Sequence, residues 1–153
     1  MTDRFIRTIV TSERGLMDWG AKLAPFLRAS DVLALRGGLG AGKTTFSRGL
    51  IQSLVGDGEV PSPTYTLVQT YECPNYDLWH CDLYRLDNPS DVLELGLIDM
   101  EDDIVSLIEW PDKMGAYLSA DALNVHIDFH DQGRELSLSG SDIWATRLKE
   151  LSQ

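Results

Sequence analysis

The chain has 153 residues, 43% of them hydrophobic and 24% charged, enough for one compact core and too apolar for a disordered segment. Thirteen Lys and Arg stand against 24 Asp and Glu, a formal charge of −11 that disfavours direct contact with the phosphate backbone of DNA or RNA. No apolar run approaches the roughly 18 residues of a membrane span, "MTDRFIRTIV" lacks the apolar core of a signal peptide, and Cys73 and Cys81 have no CxxC spacing. These features predict a single domain over residues 1–153 in a reducing cytoplasm, with no membrane contact and with both cysteines as packing residues.

In chain order, "RFIRTIVT" (4–11) is short and β-branched and predicts a strand. In "SERGLMDWGAKLAPFL", Leu16, Trp19, Leu23 and Phe26 recur at helical spacing, with Ser12 or Thr11 placed to cap the first turn. "DVLALRG" predicts a buried strand running into glycines, and a helix over about 43–55 follows with Phe46, Leu50, Ile51 and Leu54 on one face. "PSPTYTLVQTYEC" is a proline-punctuated loop leading into a strand, and "DLWHCDLYRL" is a second strand, so 64–86 forms a hairpin or two neighbouring strands. "DNPSDVLELGLIDMED" predicts a turn and a helical stretch, and "DIVSLIEWP" a buried strand ended by a carboxylate. "ALNVHIDFHDQGRELSLSG" alternates apolar and polar residues around "DQG" as a hairpin does, and "SDIWATRLKEL" predicts a last helix capped by Ser141.

Gly37 to Thr44, "GGLGAGKT", fits GxxxxGK[ST] in the strand–loop–helix context that this phosphate-binding loop requires. Glycine lets successive amides turn inward around phosphate oxygens, and the helix N-terminus adds partial positive charge. Lys43 is then expected on the outer phosphates and Thr44 on Mg²⁺. Hydrolysis also needs carboxylates at the metal and at the attacking water. Glu109, at the end of "IVSLIE", and Asp82, in "HCDLYR", are the candidates. A solvated strand-end carboxylate is the alternative for Glu109, and an ion pair with Arg85 the alternative for Asp82. Period two places His80 on the face of Asp82, where a satisfied, half-buried histidine is as good an account as a catalytic one. "SPTYT" (62–66) sits where a nucleotide-sensing switch is expected, or is an ordinary proline turn. Trp110 is either a partner-facing or nucleotide-side aromatic or a packing residue, and Trp19, Trp79 and Trp144 read as core.

Taken together and in this order, "GGLGAGKTTFSRGL", "SPTYTLV", "HCDLYRL" and "IEWPDK" resemble the TsaE family, also called YjeE, over about residues 5–130. With the elements above, the resemblance implies an α/β single-domain P-loop NTPase fold: a central, mostly parallel sheet flanked by helices, with a C-terminal β-hairpin and helix. It implies an ATPase, weak alone, that takes ATP and Mg²⁺ as cofactors. Its implied partners are TsaD and TsaB, which transfer a threonylcarbamoyl group to adenosine 37 of tRNA, so tRNA would be met only through the complex. Carried over by position, Gly40, Ala41, Gly42, Lys43, Thr44 and Thr45 would cradle the phosphates, with Lys43 on the β and γ groups. Thr44 and Glu109 would hold Mg²⁺, Asp82 would be the second functional carboxylate, and Thr64 would belong to the switch-like loop. One departure stands out: the family pattern reads GDLGAGKT, whereas this chain has Gly38 at the acidic position.

Two other function classes share the loop. A small-molecule kinase usually needs an arginine-bearing lid, and only Arg48, Arg85, Arg134 and Arg147 follow the P-loop. A GTPase usually shows an NKxD segment, which is missing. A non-hydrolysing ATP-sensing module would use the same cradle and switch.

Overall fold

The computed structural model describes residues 3–56, 58, 60, 61, 63, 67–94 and 103–152. Seven strands, β1 (Asp3–Val10), β2 (Val32–Arg36), β3 (Val68–Glu72), β4 (Asp77–Asp82), β5 (Ile104–Glu109), β6 (Leu123–His130) and β7 (Gly133–Gly140), form one sheet in the order β1-β7-β6-β2-β5-β4-β3. Among the described residues three α-helices accompany it, α1 (Glu13–Leu23), α2 (Lys43–Val55) and α3 (Asp142–Arg147). The four central strands, β6, β2, β5 and β4, are parallel. Antiparallel pairs close both sides, β1 with β7 and β7 with β6 on one, β3 with β4 on the other. The sheet is therefore mixed, and its parallel part is confined to the middle.

Burial explains that division. All six residues of β5 are buried, as suits a strand covered on both faces by crossover elements. The β6–β7 hairpin turns tightly between His130 and Gly133, helped by Asp131 in the left-handed region (φ 51°), which a short polar side chain tolerates. On one face α1 and α2 cover a core that includes Leu33, Leu35, Phe46, Leu50 and Leu107. The other face carries a smaller cluster, Cys81, Leu83, Leu86, Val92, Ile108 and Met114, under the 3₁₀ segments Pro89–Leu93 and Pro111–Tyr117. Both cysteines are unpaired, and burial pushes both thiols up from the ordinary value.

Local signals held at the first helix and failed at the last. Ser12 caps α1, its Oγ accepting from Gly15 N at 3.0 Å. Ser141 precedes α3 but gives no side-chain cap, and its Oγ is buried without a partner among the described residues. What holds α3 is tertiary: Trp144 is buried and donates from Nε1 to Asp121 O at 2.8 Å, and Arg147 pairs with Asp31 at 2.7 Å. The helix stops at Arg147 and continues as a 3₁₀ turn over Lys149–Ser152. The strand expected to reach Leu86 ends at Asp82: after a last ladder bond from Leu83 N to Glu109 O the chain turns, Leu86 N donating to Leu83 O at 3.0 Å. No helix among the described residues is long and apolar enough to cross a membrane.

Candidate phosphate-binding site

Parallel β2, β4 and β5 all point their C-terminal ends the same way, so Gly37, Asp82 and Glu109 arrive at one edge, the usual place for a ligand in an open α/β sheet. Two glycines shape the loop between β2 and α2. At Gly37 (φ 151°) a Cβ would lie 2.3 Å from Ile127 O, so only glycine lets the chain leave β2 against the β6 backbone. At Gly42 (φ 120°), just before α2, a Cβ would lie 2.5 Å from Leu16 Cδ1. Gly42 offers no side-chain cap, which leaves the first-turn amides of a 13-residue helix turned toward the loop.

Lys43 is 5% exposed, and its Nζ donates to Gly37 O at 2.7 Å and to Gly38 O at 3.0 Å. Desolvation pushes the ammonium below the ordinary lysine value, against the opposing pull of Glu109 and Asp82. Trp110 stands 4.2 Å from Nζ to ring centroid, and the Tyr84 ring packs on Trp110 itself at 4.9 Å between centroids. Trp110 takes a left-handed conformation (φ 60°) between Glu109 and Pro111, an uncommon backbone for a bulky residue, and this turns its ring over the loop. The ring thus stands beside Lys43 and, partly buried, also packs against the cluster of Cys81, Leu83 and Ile108.

Glu109 is 3% exposed and Asp82 6%, and the two are direct register partners across β4 and β5. A solvated strand end does not describe Glu109. Thr44 Oγ1 donates to both of its oxygens, at 3.2 Å and 3.1 Å, so the threonine of the loop and the carboxylate of β5 meet. Asp82 Oδ1 accepts from Tyr84 N at 3.0 Å. His80 is fully buried rather than half-buried, and its Nε2 lies 2.7 Å from Glu109 Oε2. Lys43, Thr44, Thr45, Asp82, Glu109 and Trp110 thus line one cleft of about 270 Å³ together with Gly40 and Gly42. Thr64 lies outside the described residues, as do Ser62, Tyr65 and Thr66.

A second cavity of about 230 Å³ shares Gly40, Gly42 and Thr45 with the first and continues between Thr11–Glu13 and Gln132–Arg134. Arg134 braces the loop from β7: Nε donates to Ala41 O at 2.8 Å and Nη2 to Gly40 O at 3.3 Å, while the guanidinium lies over Phe129 at 4.5 Å. Sequence reasoning passed over Arg134 because nothing local marks it; only the β1–β7–β6 register carries it to a loop 93 residues earlier.

The donor set suits a hard cation. A hydroxyl and carboxylates are the oxygens Mg²⁺ takes, and among the described residues no group of three or more His, Cys, Asp or Glu forms a cage of its own. A cation here would complete its shell from phosphate and water, which is how Mg²⁺ is usually held.

Comparison with known proteins bears on the same residues. The family model described as "Threonylcarbamoyl adenosine biosynthesis protein TsaE" matches residues 10–136. The chain belongs to the TsaE family. It is 34% identical over 131 residues to a "tRNA threonylcarbamoyladenosine biosynthesis protein TsaE" of Rickettsia bellii, covering 85% of this chain and 91% of that one. The protein of that name from Haemophilus influenzae is 36% identical over 135 residues, 84% of this chain and 85% of its own. The crystal structure of Bacillus subtilis YdiB superposes with a TM-score of 0.79 at 25% identity, covering 99% of this chain and 96% of that one. The TsaE match spans the loop, both carboxylates and Arg134, and leaves α3 outside it.

Proposed function

We propose that this chain is the Mg²⁺-dependent ATP-binding and hydrolysing subunit of tRNA threonylcarbamoyladenosine synthesis, acting with TsaD and TsaB to support turnover. The observation that carries this is the meeting of Thr44 Oγ1 with the buried Glu109 carboxylate at 3.1–3.2 Å, beside Asp82, at the mouth of a GxxxxGKT loop. The relatives' names supply the pathway. The formal charge of −11 fits a subunit that leaves tRNA to its partners.

Each residue then has a role in phosphoryl transfer to water. The loop amides over Gly40–Thr45 bind phosphate oxygens, and Lys43 moves its ammonium from the Gly37 and Gly38 carbonyls to the β and γ groups. Thr44 and Glu109 hold Mg²⁺, which when bound neutralises charge building on the phosphate oxygens. Asp82, one strand away from Glu109, orients the attacking water. The second cavity, walled by Thr11, Ser12 and Arg134, has the position and size for the nucleoside. Trp110 closes the opposite side.

The test is capture of TsaD and TsaB by the immobilised chain in the presence of ADP or a non-hydrolysable ATP analogue, with phosphate release measured in the reconstituted mixture. Nucleotide-dependent capture with phosphate release supports the proposal. Capture that depends on nucleotide while ATP stays intact would leave a non-hydrolysing ATP-sensing module as the better description. ATP consumption with transfer to a small acceptor and no capture would favour a kinase.

A further inference from the structure

Building on the nucleotide reading above, we propose that His80 is the positioning residue of the cation site: its Nε2–H holds Glu109 from behind and keeps that carboxylate turned toward Thr44. His80 is 0% exposed and does not line the cleft, so it acts on the chemistry only through Glu109. The geometry is specific. His80 pairs in register with Leu107, two residues before Glu109, on the same face of β4 as Asp82, and its ring reaches forward to Glu109 Oε2 at 2.7 Å. Thr44 approaches the same carboxylate from the loop side, at 3.2 Å and 3.1 Å to its two oxygens. The shortest bond at Glu109 is therefore the one on the side away from the phosphate loop.

The hydrogen-bond inventory assigns the proton. A carboxylate only accepts, so Nε2 donates. Nδ1 is buried without a partner among the described residues, and a bare lone pair there is easier to accommodate than an orphaned N–H. The Nε2–H tautomer follows from this bonding pattern. A charge-assisted bond of this kind restricts the rotation of a carboxylate that must otherwise be ordered when a cation arrives. Partners of metal ligands that act this way are worth about 10- to 100-fold in metal affinity. A histidine that merely filled volume under the sheet would be replaceable by any ring of similar size.

The experiment compares His80→Phe, which keeps a ring and loses the donor, with His80→Gln, whose amide nitrogen reaches the place of Nε2. For each full-length variant, calorimetry gives ADP affinity in EDTA and then the gain on adding Mg²⁺, Mn²⁺ resonance in the presence of ADP gives cation affinity directly, and circular dichroism gives the melting midpoint. The expectation is a folded His80→Phe chain with ADP affinity in EDTA near wild type and the cation-dependent gain reduced about 10- to 100-fold, with His80→Gln restoring most of it. If His80→Phe fails to fold, His80→Asn takes its place, since its amide stops short of Glu109. A folded donor-less variant that keeps the full gain within threefold overturns the proposal, as does a folded His80→Gln that behaves like His80→Phe. A wild-type chain that binds ADP but gains nothing from either cation overturns the metal reading of the site itself, which separates that failure from this one.

Discussion

Strand β2 enters the sheet beside Asp31 and leaves it at Gly37, and the two ends keep charge out of water in different ways. At the entry, Asp31 and Arg147 have side chains 10% and 13% exposed and pair at 2.7 Å; Asp31 also accepts from Arg28 N, and the guanidinium lies 4.2 Å over Trp144. One acid meets one base, and the pair ties α3 to the sheet. At the exit, two carboxylates share a cleft with one ammonium, and the bonds of that ammonium go to the Gly37 and Gly38 carbonyls. Desolvation there weighs on Lys43 more than its acidic neighbours Glu109 and Asp82 relieve it. A balanced buried pair is a structural joint, whereas under the proposed function the acids beside the loop would serve a cation instead.

Removing either acid at the exit should have the largest effect. Glu109→Ala and Asp82→Ala are expected to fold and to lower phosphate release, measured with TsaD and TsaB present, by about 10²- to 10³-fold, the size seen when one preorganised group at a reacting centre is lost. Normal turnover in both would erase the functional side of the contrast.

Lys43→Met comes next. Loss of a charged donor to phosphate costs about 3 kcal/mol, roughly 100-fold in ADP affinity by calorimetry. Stability should move the other way. The folded-state value of Lys43 lies below its unfolded value, so between the two the unfolded chain binds more protons and stability from this group rises with pH. At any pH below both values the cost of burying the ammonium is fully present. The variant is therefore expected to lose nucleotide without a lower melting midpoint, and a clear fall would mean that Lys43 is a structural joint like Arg147.

At the entry the pattern inverts. Asp31→Ala leaves Arg147 buried without its acid and should cost about 2–3 kcal/mol in urea unfolding, somewhat under the figure for a fully buried pair because water reaches a tenth of it. ADP affinity should be unchanged. Arg147→Met should cost less, since an apolar chain of similar length can stay against Trp144.

The two ends also differed in how far the sequence disclosed them. The loop is contiguous, so its spacing, its preceding buried strand and its following helix sit in one stretch, and Gly40 to Thr45 fell where the pattern put them. Glu109 and Asp82 were visible as strand-end acids, but their adjacency depends on the β4–β5 register, 27 residues apart in the chain. Full burial of His80 and its bond to Glu109 follow from the same register, and period two alone gave only the face. Arg134, Arg147 and Asp31 carry no local mark at all, since each is defined by a partner that the fold brings in from far along the chain. Ser141 shows the converse: a good capping residue in sequence, overruled because Trp144 and Arg147 fix the helix from inside.

Gly38 gives the smallest and sharpest difference. Unlike Gly37 and Gly42, it is not held in a positive-φ conformation, and a Cβ there would meet only Phe129 Cε2 at 3.8 Å, an ordinary contact. Its carbonyl, which accepts from Lys43 Nζ and Ala41 N, is backbone and survives substitution. Gly38→Ala should therefore leave stability unchanged or raise it by up to about 0.5–1 kcal/mol through the unfolded chain. Gly38→Asp, the residue the family pattern shows, should fold equally well and keep ADP affinity within a few-fold, because phosphate is bound by amides and Lys43 rather than by this side chain. If Gly38→Asp nevertheless changes capture of TsaD and TsaB, the acidic position is read by the partners; if it instead abolishes ADP binding, the loop does not hold phosphate in the way its glycines and Lys43 imply.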